Sequence, residues 1–219
     1  MKKKVFNLVI VDESGSMSCI REQALTGMNE TLSTIQVMQE KYPDTEQFTT
    51  LLTFDSEHTT WHLDNASVDQ IRKLAWDEYN PNACTPLYDA IGSAISKVEK
   101  QVGEGANVLV TIITDGEENS SREWTLPMIR QRIELLKKHG WTFSLIGTDN
   151  LDVETMAISM KIDSHISFCQ DAAGTKRMFS TERCARSRFK AMVSRDESIE
   201  ESAYFNLSSN DVDPLADKH

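Results

Sequence analysis

Two short acidic stretches in this 219-residue sequence carry oxygen donors at spacings suited to cation chemistry. Asp12-Glu13-Ser14-Gly15-Ser16 offers a carboxylate and then two hydroxyls at alternate positions, which point to one side in an extended loop. Thr114-Asp115-Gly116 supplies a second carboxylate. Two carboxylates brought close repel unless one is protonated or a cation lies between them. Hard oxygen ligands of low total charge suit Mg²⁺ or Mn²⁺ better than zinc. Each stretch by itself also reads as local structure, because Asp and Ser after a strand are frequent helix N-caps and Asp-Gly is a frequent turn.

The elements that position these groups alternate in type. Residues 5–11 form an apolar, β-branched run that stops at Asp12, a buried strand entering a loop. Ile20, Ala24, Met28, Thr31, Ile35 and Met38 recur in steps of three and four, a helix that Pro43 has to end. Residues 48–54 read as a second strand and 58–63 as a third, paired with it as a hairpin. After the turn Asn80-Pro81-Asn82, Leu87, Ile91, Ala94, Ile95 and Val98 give another helix. Residues 108–113 are the cleanest strand. Leu126, Ile129, Ile133 and Leu136 then form a helix stopped by Gly140. A strand at 141–146, a helix at 153–160, a short strand at 165–168 and a helix at 172–194 complete the order. This alternation predicts an α/β, doubly wound, mainly parallel central sheet with helices on both faces and one antiparallel edge strand. Ligands of such sheets gather beyond the carboxyl ends of strands where the strand order reverses, which would bring Asp12 and Asp115 together.

In that context Asp12-x-Ser14-x-Ser16, then Thr85 within Cys84-Thr85-Pro86-Leu87-Tyr88-Asp89-Ala90, then Asp115 within Thr114-Asp115-Gly116 resemble the metal-ion-dependent adhesion site of the von Willebrand factor A domain family. The resemblance covers about residues 5–192, and similar stand-alone intracellular domains occur in bacteria. It implies a Rossmann-like fold and a Mg²⁺ or Mn²⁺ ion held directly by the hydroxyls of Ser14 and Ser16. Asp12 and Asp115 would act largely through water and hydrogen bonds, and Thr85 directly or through water. It further implies a protein partner whose acidic side chain completes the ion, in a module that is not an enzyme. Two positions depart from the pattern: Glu13 adds a charge, and Ala83-Cys84 stands where many relatives carry glycine.

Composition narrows the alternatives. The 23 basic against 34 acidic residues give a net charge of −11, which argues against nucleic acid as a partner. No apolar run approaches the roughly 20 residues of a membrane span, so neither a signal peptide nor an anchor is expected and the cytoplasm is the expected compartment. The sequence sets no oligomeric state. Cys19, Cys84, Cys169 and Cys184 lack ligand spacing and read as free thiols buried as small apolar residues. A redox pair of Cys19 with Cys84 is the sharper alternative, as is a transition-metal site at His58 and His62, otherwise exposed edge-strand residues sharing a face with Thr60. Lys176, Arg177, Arg183, Arg186, Arg188 and Lys190 against Glu182 read as a solvated helix face, or else as a surface for RNA or an acidic partner. The domain is expected to span residues 1–195. An acidic tail, 196–219, carries a net −6 and is expected to be mobile or docked by charge rather than part of the core. The rival function is a phosphotransferase or phosphatase using Asp12 as nucleophile. That chemistry wants a second acid two residues after Asp12, where Ser14 stands, and a lysine near the site. No P-loop, dinucleotide fingerprint or Gly-x-Ser-x-Gly is present.

Overall fold

A computed structural model describes residues 2–103, 105–197, 203–208 and 211–215. In chain order these form β1 (Lys3–Asp12), α1 (Arg21–Lys41), β2 (Thr45–Phe54), β3 (Thr59–Ser67), α2 (Leu87–Glu99), β4 (Asn107–Thr114), α3 (Leu126–Lys137), β5 (Trp141–Thr148), α4 (Val153–Met160), β6 (Ser164–Phe168) and α5 (Ala172–Ser194). The six strands lie in the order β3-β2-β1-β4-β5-β6. All neighbours are parallel except β2 and β3, which pair antiparallel at one edge. The chain winds outward from β1 in one direction and then returns to continue with β4 on its other side. The carboxyl ends of β1 and β4 therefore flank the crevice where the order reverses.

Alternate side chains of β1 leave opposite faces of the sheet. Phe6, Leu8 and Ile10 join Ile91 and Ile95 of α2, Ile129 and Ile133 of α3, and Ala157 of α4 in one core layer. Val9 and Val11 join Leu32 and Ile35 of α1 and Met178 and Phe179 of α5 in the other. Each such large apolar side chain contributes about 1.5–3 kcal/mol by leaving water. The apolar stripe expected for α1 is buried throughout, from Ile20 to Met38. At Gly27 of α1 a Cβ would stand only 2.0 Å from the Phe179 ring, so α1 and α5 approach with room for nothing larger than hydrogen. Gly140 follows α3 at φ +84°, a left-handed conformation that glycine adopts without strain.

In the basic run of α5, Lys176 and Arg177 are exposed as expected of a solvated face, but the later positions are not. Arg183, Arg186 and Lys190 are buried, together with Glu182. Arg186 donates to Glu182 at 2.6 Å, to Asn7 of β1 at 2.7 Å and to Thr111 of β4 at 2.9 Å, so a polar layer lies between α5 and the sheet. Arg183 reaches Glu30 of α1 and Asp213 of the C-terminal segment, each at 2.5 Å. Glu182, four residues before Arg186 on the same helix, compensates that charge, and Glu30 and Asp213, brought by tertiary packing, compensate Arg183.

The C-terminal segment also departs from its expected behaviour. Arg188 donates to the carbonyls of Ala203, Tyr204 and Asn206, an electrostatic attachment. Yet Tyr204 and Leu215 are themselves core residues, 2% and 4% exposed. Tyr204 packs with Val5, Leu109, Phe189 and Val193. The described part of the acidic tail is thus held by apolar burial as well as by charge. Among the cysteines, Cys184 is buried as expected, whereas Cys19, Cys84 and Cys169 are exposed because they sit in loops beyond the strand ends. All four are free thiols. His58 lies just outside β3 and is exposed, while His62 is half-buried with Nε2 2.9 Å from Thr53 Oγ1. Among the described residues no group of three or more His, Cys, Asp or Glu side chains is arranged to hold a metal ion.

Candidate metal centre

Asp12 is the last residue of β1 and is fully buried. One of its oxygens, Oδ1, accepts from the Ser14 amide at 2.7 Å, and Oδ2 accepts from the Thr114 hydroxyl at 2.6 Å. Its backbone carbonyl accepts from the buried Tyr79 hydroxyl at 2.8 Å. Asp115, one residue beyond β4, is likewise buried. Its Oδ1 accepts from the Ser16 hydroxyl at 2.7 Å and its Oδ2 from the Gln170 side-chain amide at 2.5 Å. The hydroxyls of Ser14 and Ser16 stand 3.1 Å apart.

Thr85 closes the third side. A Cβ on Gly116 would stand 2.9 Å from Thr85 Oγ1 and 3.8 Å from Asp12 Oδ2, so both atoms lie around the space that the absent side chain leaves. Asn119 holds Thr85 by two bonds, accepting from the Thr85 amide at 2.8 Å and donating its own amide to the Thr85 carbonyl at 3.1 Å. The helix behind Thr85 is pinned in the same way. Glu118 accepts from the Tyr88 amide in the first turn of α2, and Asp89 accepts from the amides of Arg122, Glu123 and Trp124. The Tyr88 amide, and the Asp89 amide that donates to Ser121 Oγ at 3.0 Å, are free amides of the α2 N-terminus satisfied by the loop that follows Asp115. All five residues expected from the sequence, Asp12, Ser14, Ser16, Thr85 and Asp115, thus meet at the carboxyl edge between β1 and β4.

The site's electrostatics favour a cation. Burial lifts the Asp12 carboxyl to about 6, against the opposing pull of its hydrogen bonds to Thr114 and Ser14, and the charge of Asp115 adds to the rise. Burial also raises Asp115, opposed by hydrogen bonds from Ser16 and Gln170. Among the described residues no lysine or arginine is bonded to either carboxyl. Two buried acids sharing hydroxyl neighbours but no basic side chain form a set of hard oxygen donors that fits a small divalent ion.

Sequence reasoning missed several supporting residues. Thr114 stood inside the quoted motif, yet nothing in the motif told that its hydroxyl would serve Asp12. Gln170 lies 55 positions from Asp115 and carries no local signal. The extra charge of Glu13 turns away from the cluster: its carboxylate accepts from the Asn80 amide and its carbonyl from Asn82 at 2.8 Å. Ala83, in the place where relatives often carry glycine, adopts φ +57° and accepts from the Gly15 amide at 3.2 Å.

A doubly wound sheet with acidic and hydroxyl loops gathered at its switch point defines a Rossmann-like domain. The von Willebrand factor type A domain profile matches residues 8–181, and the chain belongs to that family, whose members are known as protein-interaction modules. No curated protein matches this sequence. Among solved structures, the SpRpn10 VWA domain is similar at 9% identity and TM-score 0.60, covering 82% of this chain and 95% of that one. The manganese-loaded TRAP protein of Plasmodium vivax is similar at 17% identity and TM-score 0.55, covering 80% and 72%. Proximal thread matrix protein 1 from the mussel byssus is similar at 15% identity and TM-score 0.54, covering 89% of this chain. This chain spans under half of that longer protein, 46%. At these identities the likeness is one of fold.

Proposed function

We propose that this protein is a non-enzymatic, metal-dependent interaction module that captures a protein partner through an acidic side chain. Mg²⁺ or Mn²⁺ would be held by the hydroxyls of Ser14, Ser16 and Thr85, with Asp12 and Asp115 orienting those hydroxyls and bound water. The observation that carries this reading is the meeting of two buried carboxylates and three hydroxyls, with no cationic side chain among the described residues bonded to either carboxylate. When bound, the ion supplies an electrophilic position that a carboxylate fills better than water does. Ser16 is exposed whereas Asp12, Ser14, Thr85 and Asp115 are buried, so the donor set opens to solvent on the Ser16 side. The cytoplasmic, bacterial setting expected from the sequence belongs to the same proposal. No observation favours phosphoryl transfer: Asp12 is fully buried and both its oxygens already accept hydrogen bonds.

Calorimetry with Mn²⁺ tests the ion, and water-proton relaxation of bound Mn²⁺ with added acetate tests the open position. Binding in the native protein, its loss in Asp12→Ala, and a fall in relaxation as acetate displaces water are the expected results. Equal Mn²⁺ affinity in the native chain and in Asp12→Ala would remove the reading.

A further inference from the structure

The two carboxylates of the site are held by the same device. Each gives one oxygen to the Asp12–Ser16 loop, Asp12 to the Ser14 amide and Asp115 to the Ser16 hydroxyl. Each gives its other oxygen to a donor outside the five-residue pattern, Asp12 to Thr114 and Asp115 to Gln170. Thr114 is fully buried at the end of β4. Gln170 comes from the loop between β6 and α5, just before Asp171, whose side chain caps α5 by accepting from the Gly174 amide at 2.6 Å. That cap, together with the bond from the Asp171 amide to the Cys169 carbonyl at 2.8 Å, fixes the backbone on either side of Gln170.

We propose that Gln170 is a positioning residue of the metal centre, orienting Asp115 so that the Ser16 hydroxyl gives its proton to Asp115 and keeps its lone pairs for the ion. The inference rests on the metal reading above. A carboxylate with one oxygen unrestrained rotates about its χ2 bond, and a serine hydroxyl that loses a fixed acceptor turns with it. The bond at 2.5 Å from Gln170 removes that freedom. Residues that orient metal ligands from outside the direct contacts typically change metal affinity by about 10–100-fold when lost.

Gln170→Met keeps the length and nearly the volume of the side chain and removes the donor. Gln170→Ala removes both, and Asp115→Ala serves as the reference loss. Mn²⁺ affinity is measured by electron paramagnetic resonance of the free ion, alongside the bound-ion spectrum and the melting temperature of the metal-free proteins. The expected result is a loss of about tenfold or more in affinity for both Gln170 variants, with an altered bound-ion spectrum in Gln170→Met and metal-free melting close to native. If the native protein binds Mn²⁺, Asp115→Ala loses it and Gln170→Met retains native affinity, the positioning role is refuted while the metal centre stands. If native and Asp115→Ala behave alike, the metal reading itself fails and takes this inference with it.

Discussion

Arg183 on α5 and Asp213 in the C-terminal segment form a 2.5 Å ion pair in which both side chains are largely shielded from solvent. Burial works to raise the Asp213 carboxyl, but hydrogen bonds from Arg183 and Ser180 outweigh it and hold the group below its ordinary 3.8. A carboxyl depressed in the folded state stabilises the fold above its unfolded value, and that contribution is lost as pH falls through the lower folded value. Native protein should therefore exceed Asp213→Asn in urea stability at neutral pH, and the gap should close as pH drops below about 4. Arg183→Ala, which removes the buried guanidinium that bridges α1 and the C-terminal segment, should destabilise by about 3–5 kcal/mol.

Truncation before Glu197 should lower the melting temperature clearly. Tyr204 and Leu215 are buried, and removing an aromatic and a leucine of that kind costs about 2–5 kcal/mol apiece. A melting temperature unchanged on truncation would show that the segment does not support the core.

Lys190 is almost fully buried, and among the described residues its ammonium has no hydrogen-bond partner. Burial pulls it down from 10.5 to about 7, with Asp44 opposing. Between those two values the unfolded chain binds the extra proton, so stability rises with pH across that window and the penalty is full below about pH 7. Lys190→Met should stabilise the protein by about 1–3 kcal/mol at pH 6, and by less at pH 10, in parallel denaturation curves.

Ala83 stands at φ +57° while its carbonyl holds the Gly15 amide. A side chain in this left-handed region costs about 1–2 kcal/mol relative to the right-handed one. Ala83→Gly should thus be neutral or stabilising by up to about 1 kcal/mol, whereas Ala90→Gly in α2 should destabilise by about that amount before any loss of packing. Thermal melts of the two variants make the comparison.

Saturating Mg²⁺ should stabilise native protein in proportion to occupancy, by about 2.7 kcal/mol at a hundred times Kd. Asp115→Ala should show no such gain. Its metal-free stability should stay near native, because losing one of two buried carboxylates relieves their repulsion.

The alternation of strands and helices was legible because each element follows its own period, and the helix spanning Ala172–Ser194 is found where its sequence predicts it. The five residues of the candidate centre were legible for a related reason: each sits within a few positions of a strand end or helix start, where backbone geometry fixes its direction. The burial of Arg186 was not legible because it depends on Asn7 of β1 and Thr111 of β4, which only the folded sheet brings to it, and that of Lys190 because nothing local marks which turn of α5 faces the sheet. Gln170 was invisible for the same reason, as was the docking of Tyr204 against Phe189.

The contact between Gly27 and Phe179 joins the helix that follows β1 to the helix that follows β6. One starts after the Ser16 loop, the other after Gln170. A hydrogen where other residues have a methyl group therefore acts as a spacing gauge, setting how far apart the roots of those two loops stand some way beneath the surface. Enlarging position 27 would splay the helices about two turns from their starts, and the opening would be felt at the rim, among residues that the substitution never touches.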